Sequence, residues 1–222
     1  MKRLLFGAAL TLLMGVVTFA STSTPELMIT DGSTVTVVGS GGSVSYINSN
    51  FGGWNIVVVG ASNSPGTTPF SIDLTTLAVE CMATTCSALT VELSDIGYTV
   101  NTTSSTVGYT ATDTGAAAST SVSGYFSTTN GYFATTTPIG TVGPFVGFGV
   151  FAGSVTGPGT GTSAATSRTL VNTFAACSGA GCASYSSDSD ITGSTVPEPA
   201  SVALFGTGLV FCASRLRRRK AS

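Results

Sequence analysis

The chain has 222 residues, of which only 8% are charged, with ten acids, eight bases and no histidine. Without histidine there is no Ser-His-Asp or Cys-His catalysis and no imidazole metal ligand. The bases sit almost wholly at the two ends. Between Ser21 and Val196 nine acids minus one base, Arg168, leave −8, a charge unsuited to nucleic acid phosphates or anionic lipid.

Met1-Lys2-Arg3 is a basic n-region, and Leu4 to Val17 is an apolar h-region. Thr18 and Ala20 offer small residues at the −3 and −1 positions, so cleavage is expected between Ala20 and Ser21. A second such site follows Ser23. Residues 1–20 therefore read as a secretory signal peptide and 21–195 as one domain with a sizeable core.

Serine, threonine and glycine dominate that body, and helix-favouring charged residues are scarce. Short apolar-alternating runs recur at spacings of about ten residues, separated by Gly, Pro, Asn and Ser. The pattern predicts an all-β fold, a single antiparallel β-sandwich of jelly-roll or immunoglobulin-like type. Thr34 to Val38 and Ser43 to Ile47 flank Gly39-Ser40-Gly41-Gly42, which reads as a hairpin turn. Trp54 to Val59 is almost continuously apolar and predicts a strand covered on both faces. It stops before a turn at Asn63-Ser64-Pro65-Gly66.

Phe70, Ile72 and Leu74 alternate, and the phase then shifts to Leu77, Val79 and Cys81. That shift needs a bulge across Thr75-Thr76, or a strand that changes sheets. Leu89, Val91 and Leu93 alternate in turn, with a second shift to Ile96, Tyr98 and Val100. Further strands are expected near Val107–Ala111, Ser121–Phe126, Pro144–Phe151 and Thr166–Ala175, with a last one inside Ala183–Ile191.

Cys81 and Cys86 bracket four residues, and so do Cys177 and Cys182. Each pair reads as a short hairpin loop clamped by a disulfide, favoured by an oxidising compartment. Four cysteines allow three connectivities, so crossed links stay open. A four-thiolate zinc site would need a reducing compartment, and no metal site or cofactor is expected.

Chemistry-bearing groups are few. Glu80 and Glu92 flank the first cysteine loop and could face one another as the carboxylate pair of a hydrolase, although alternation with Val79 and Val91 points both to solvent. Asp188-Ser189-Asp190 could offer oxygens to calcium. Tyr125, Phe126, Tyr132 and Phe133 straddle a Thr128-Thr129-Asn130-Gly131 turn, where exposed rings could stack on sugars. The plainer reading sends the two phenylalanines inward.

The tail has three parts. Val196-Pro197-Glu198-Pro199 is a proline-punctuated, extended segment. Residues 200 to 214 carry no charge and would span roughly 22 Å as a helix, short of about 30 Å of hydrocarbon. Arg215, Arg217, Arg218, Arg219 and Lys220 form a basic stop that should stay cytoplasmic. In this order the three parts, over 196–220, resemble the C-terminal sorting signal of PEP-CTERM proteins. An exosortase, a membrane protease, processes that signal in certain Gram-negative bacteria.

The resemblance implies export, transient anchoring in the inner membrane through the apolar helix, processing near the motif, and delivery to the cell surface, outer envelope or extracellular matrix. It implies a non-enzymatic envelope or matrix protein associated with exopolysaccharide. The alternative is a polysaccharide- or calcium-binding surface module.

Overall fold

The computed structural model describes residues 24–63, 70–115, 119–162, 164–179 and 182–195. The expected signal peptide, the Ala20–Ser21 cleavage site, most of the Asn63–Gly66 turn and the whole 196–220 tail lie outside these residues. Among the described residues there are fourteen strands and no helix.

The first seven strands are β1 (Glu26–Thr30), β2 (Thr34–Val38), β3 (Ser43–Phe51), β4 (Trp54–Ser62), β5 (Ser71–Cys81), β6 (Thr85–Cys86) and β7 (Leu89–Tyr98). The remaining seven are β8 (Thr102–Asp113), β9 (Ser119–Ser127), β10 (Thr137–Val146), β11 (Gly149–Pro158), β12 (Thr166–Phe174), β13 (Cys177–Ser178) and β14 (Ser184–Thr195). One six-stranded sheet, sheet A, has the order β10-β9-β12-β7-β1-β2. The other, sheet B, has the order β11-β8-β14-β5-β4-β3, and β13 with β6 forms a small third sheet. Every pairing is antiparallel, so the predicted sandwich is found.

Alternation explains the strands. In β5 the residues Ile72, Leu74, Leu77, Val79 and Cys81 are buried, while Thr75 and Thr76 are both exposed. The register slips at that point against β14 and against β4, so the predicted bulge is real. Inward residues of the two sheets interdigitate, among them Leu27, Ile29, Leu93 and Leu170 from sheet A and Ile56, Ile72, Leu74 and Val107 from sheet B. Burying such side chains contributes roughly 1.5–3 kcal/mol each.

Several expectations are corrected. Gly39–Gly42 does not join a hairpin, because β2 belongs to sheet A and β3 to sheet B. The turn is tight, with Ser40 and Ser43 exchanging backbone hydrogen bonds, but it carries the chain across the core. The Trp54–Val59 run is covered on one face only: Trp54, Ile56 and Val58 are buried, whereas Val59 is 37% exposed. Sheet B's outer side is open, so β-branched residues there reflect strand propensity more than a second core.

In β7 the phase shifts as expected, to a buried Tyr98, but just past Ile96. Asp95 continues the buried series and Ile96 is half-buried. The irregularity falls beside Gly97, whose φ of +87° few other residues tolerate. The Pro144–Phe151 strand is two strands, β10 and β11, in different sheets. Gly147, at φ +89°, turns the chain between them.

These two edge strands pack closely. A side-chain carbon on Gly157 of β11 would overlap the Ile139 carbonyl oxygen of β10, and backbone cannot rotate out of the way. Gly157→Ala should therefore cost about 1–3 kcal/mol, read as a lowered urea midpoint with an unchanged slope. An unchanged midpoint would show that the two edges do not meet as described.

Candidate functional site

The outer face of sheet B brings three carboxylates together on two neighbouring strands. Along β14, Tyr185, Ser187, Ser189 and Ile191 point inward, leaving Ser184, Ser186, Asp188 and Asp190 outward. Asp190 lies opposite Asp73 of β5 on one side and Gly108 of β8 on the other. A side chain at 108 would overlap the Asp190 carboxylate, so the glycine gives that carboxylate room. Asp188 lies opposite Thr110, one step along the same face. Two shallow, open depressions of about 230 Å³ each adjoin this strip, one lined by Asn55, Glu80 and Ser184, the other by Thr75, Thr110 and Asp188.

Three carboxylates on one face disturb each other. Burial, then the Asp188 charge, then the Asp190 charge push Asp73 up to about 6 from 3.8. Its Oδ1 is screened from solvent and accepts no hydrogen bond. Asp190 is raised by burial and by Asp188, and Asp188 by burial. The three do not form a ligating set. Among the described residues, only the sulfurs of Cys81, Cys177 and Cys182 bring three metal-ligand atoms within 4.8 Å of one another. The calcium reading of Asp188 and Asp190 therefore gains no coordination geometry.

The sulfurs meet because both local disulfides form, Cys81–Cys86 and Cys177–Cys182. The loops they close are not hairpins. The first carries the chain from β5 in sheet B to β7 in sheet A, and the second from β12 in sheet A to β14 in sheet B. They pair with each other, Cys177 opposite Cys86 and Ser178 opposite Thr85. Gly179 N–H donates to the Thr84 carbonyl at 2.8 Å and Cys81 N–H to the Ala183 carbonyl at 2.9 Å. The indole of Trp54 donates to the Ser87 carbonyl at 3.1 Å. Sulfurs held in disulfides offer no thiolate, so this corner is a clamp and not a metal centre.

Glu80 and Glu92 do not face one another. Glu80 lies outward on β5 between Asn55 and Ser184, while Glu92 lies on β7 between Met28 and Val171. Outward groups on two sheets stacked about 10 Å apart cannot flank one glycosidic bond. The aromatic turn is tied into the fold at two points. Phe126 is buried, and the Tyr132 hydroxyl donates to the Thr24 carbonyl at 2.8 Å. Tyr125 and Phe133 are half-buried, and Phe133 adopts a positive φ of 55°.

Arg168, the one cation of the body, is fully buried, a placement its strand pattern does not announce. Its guanidinium carbon lies 4.7 Å from the Phe70 ring centre and 5.5 Å from those of Tyr98 and Phe126. Nη1 donates to Thr166 Oγ1 at 2.9 Å and to the Ser167 carbonyl at 3.0 Å. Burial lowers its pKa to about 10, so it stays charged at neutral pH. Its cross-strand neighbour Asp95 is buried too and accepts from Ser62 Oγ at 2.7 Å, Ile96 N–H at 2.9 Å and Tyr98 Oη at 3.3 Å. Arg168, Asp95, Tyr98 and Thr166 of this polar knot are all fully buried.

β14 begins beside the disulfide corner and ends at Thr195, at the opposite pole. The tail therefore continues directly from a central strand of sheet B. Residues 195–220 match the model of the PEP-CTERM protein-sorting motif. The tail is a sorting segment of that kind, which marks an exported protein, transiently anchored in the membrane and processed by an exosortase. No curated protein matches the chain. One solved structure with some likeness was published as the structural basis for the promiscuous specificity of carbohydrate-binding modules from the β-sandwich superfamily. It shares 14% identity over 78% of this chain and 72% of that one, with a TM-score of 0.29.

The carboxylate strip makes a pH prediction. Asp73 holds its proton more tightly in the folded state, where its pKa is about 6, than at the ordinary 3.8 of the unfolded chain. Its ionisation therefore costs stability above about pH 6, and the cost fades as pH falls through 6 toward 3.8. Asp73→Asn should stabilise by about 1 kcal/mol at pH 7.5, after allowance for its partial exposure, and by nothing below about pH 4. Thermal unfolding across that range checks it, and an equal gain at both ends would refute the carboxylate strip as its cause.

Proposed function

We propose that the protein is a non-enzymatic component of the cell envelope or extracellular matrix, associated with exopolysaccharide. The sorting motif at residues 195–220 is the observation that carries the reading, because it governs where the domain is delivered. The body supports it by its chemistry. Its open sheet face is built of serine and threonine hydroxyls with a few carboxylates, which stay hydrated among polysaccharide chains. Glu80 and Glu92, the carboxylate pair considered for a histidine-free hydrolase, lie on different sheets. The disulfide clamp suits an exported protein that has no reducing buffer around it.

In this reading Pro197-Glu198-Pro199 is the segment engaged by the exosortase, and Arg217, Arg218 and Arg219 hold the apolar stretch in the membrane until then. The catalysis of processing belongs to that enzyme. Replacing Pro197, Glu198 and Pro199 by alanine should leave the longer precursor in the inner-membrane fraction and deplete the polysaccharide-containing matrix of the protein. Fractionation of the native host with an antibody to the β domain reads both. Normal maturation of the variant would remove the motif's role. Wild-type protein absent from the matrix fraction would remove the matrix reading.

A further inference from the structure

We propose that the free edge of β11 pairs with the same strand of a second copy of this chain, antiparallel, so that sheet B runs on through both copies. The inference rests on the fold alone and does not need the matrix reading.

The sandwich has four edge strands, β10 and β2 in sheet A, β11 and β3 in sheet B. An unpaired edge is a row of open N–H and C=O groups, and natural sheets blunt such edges with prolines, bulges, charges or shortness. β10 has Pro138, Pro144 and two register breaks. β2 has five residues. β3 loses its register after Asn48. β11 carries none of these devices. It pairs with β8 without a break from Gly149 opposite Asp113 to Pro158 opposite Ser104. It contains no charged residue, and its one proline is its last. No described strand pairs with its other side.

The inner face of β11 is already filled. Gly153 lies against Val142 and Gly157 against Ile139, both of β10. A partner can therefore add only at the edge. Its outer face shows Val150, Ala152, Ser154 and Thr156, all exposed and neutral.

Charge selects the geometry. A body at −8 resists casual self-association. The outward carboxylates nearest to this edge in sheet B, Asp188 and Asp190, sit on β14, two strands inward. In a β11–β11 pair the two β14 strands are five strand spacings apart, about 24 Å, or roughly three screening lengths at physiological salt.

Residues directly opposite in an antiparallel ladder share a face. One register that keeps outer faces together sets Ser154 against its own copy and Val150 against Pro158, which is a closed two-fold pair. It also brings the apolar tip, Val146 at 67%, Phe148 at 69% and Val150 at 80% exposure, to the far end of the partner's strand.

Sedimentation velocity of the processed protein from its native host, over a concentration series at physiological salt, tests this. We expect a one-to-two-chain equilibrium, and amides of β11 that gain hydrogen-exchange protection as the pair forms. The double variant Ala152→Lys/Ser154→Lys places like charges along the edge on exposed positions. It should keep the wild-type thermal unfolding and raise the dimer dissociation constant at least about ten-fold. Single chains at every wild-type concentration would overturn the proposal. So would a pair unchanged by the two lysines, or one abolished by Phe148→Ser alone, which would make the tip and not the edge the contact.

Discussion

Most of this chain's turns carry it from one sheet to the other, so consecutive strands tend to face each other across the core instead of pairing side by side. β2 to β3, β5 to β7, β8 to β9, β10 to β11 and β12 to β14 all cross in this way. The rest of the architecture follows from that constraint. Each crossing must bend sharply at a pole of the sandwich, which is why glycines at positive φ cluster there, Gly41, Gly42 and Gly147 among them. Two crossings at one pole are clamped by disulfides and paired to each other through β6 and β13. A loop of this length removes only about 2 kcal/mol of unfolded-state freedom per disulfide. The larger effect is local: four chain segments at that pole are fixed relative to one another.

Charge is used sparingly and in opposite senses. The single basic residue of the body is spent inside, against three aromatic rings and beside Asp95, where it orders the pole away from the disulfides. Outside, among the described residues no base stands by Asp73, Asp188 and Asp190; burial and neighbouring charge raise Asp73 and Asp190, and Gly108 leaves the Asp190 carboxylate room. Apolar interdigitation between two sheets, not ion pairing, holds the domain together. Its surface stays soluble through hydroxyls.

Much of this was legible in the residues. The bulge at Thr75-Thr76 showed as a phase shift because alternation is a local signal with a period of two. The cysteine pairing was legible for the same reason, since the partners sit five positions apart. The sorting tail was legible because its three parts are contiguous. The crossings were not. Gly39-Ser40-Gly41-Gly42 satisfies a hairpin and a sheet-to-sheet turn equally well, and only the partners of β2 and β3 decide. The carboxylate strip depends on β5 meeting β14 more than a hundred residues later. No local pattern announces that Asp73 joins Asp188 and Asp190. The burial of Arg168 was hidden likewise, because a basic residue in a strand ordinarily points to solvent.

The sorting tail marks an exported, transiently anchored protein, and we propose that processing near Pro197-Glu198-Pro199 releases the disulfide-clamped sandwich to the cell exterior. Intact-mass spectrometry of the protein from its native host, separated into membrane, envelope and medium, addresses it most directly. The account predicts an envelope or medium species that starts near Ser21, ends near Pro199 and is four hydrogens lighter than the reduced chain, two for each disulfide. A chain with its tail complete to Ser222, confined to the inner membrane, would contradict it.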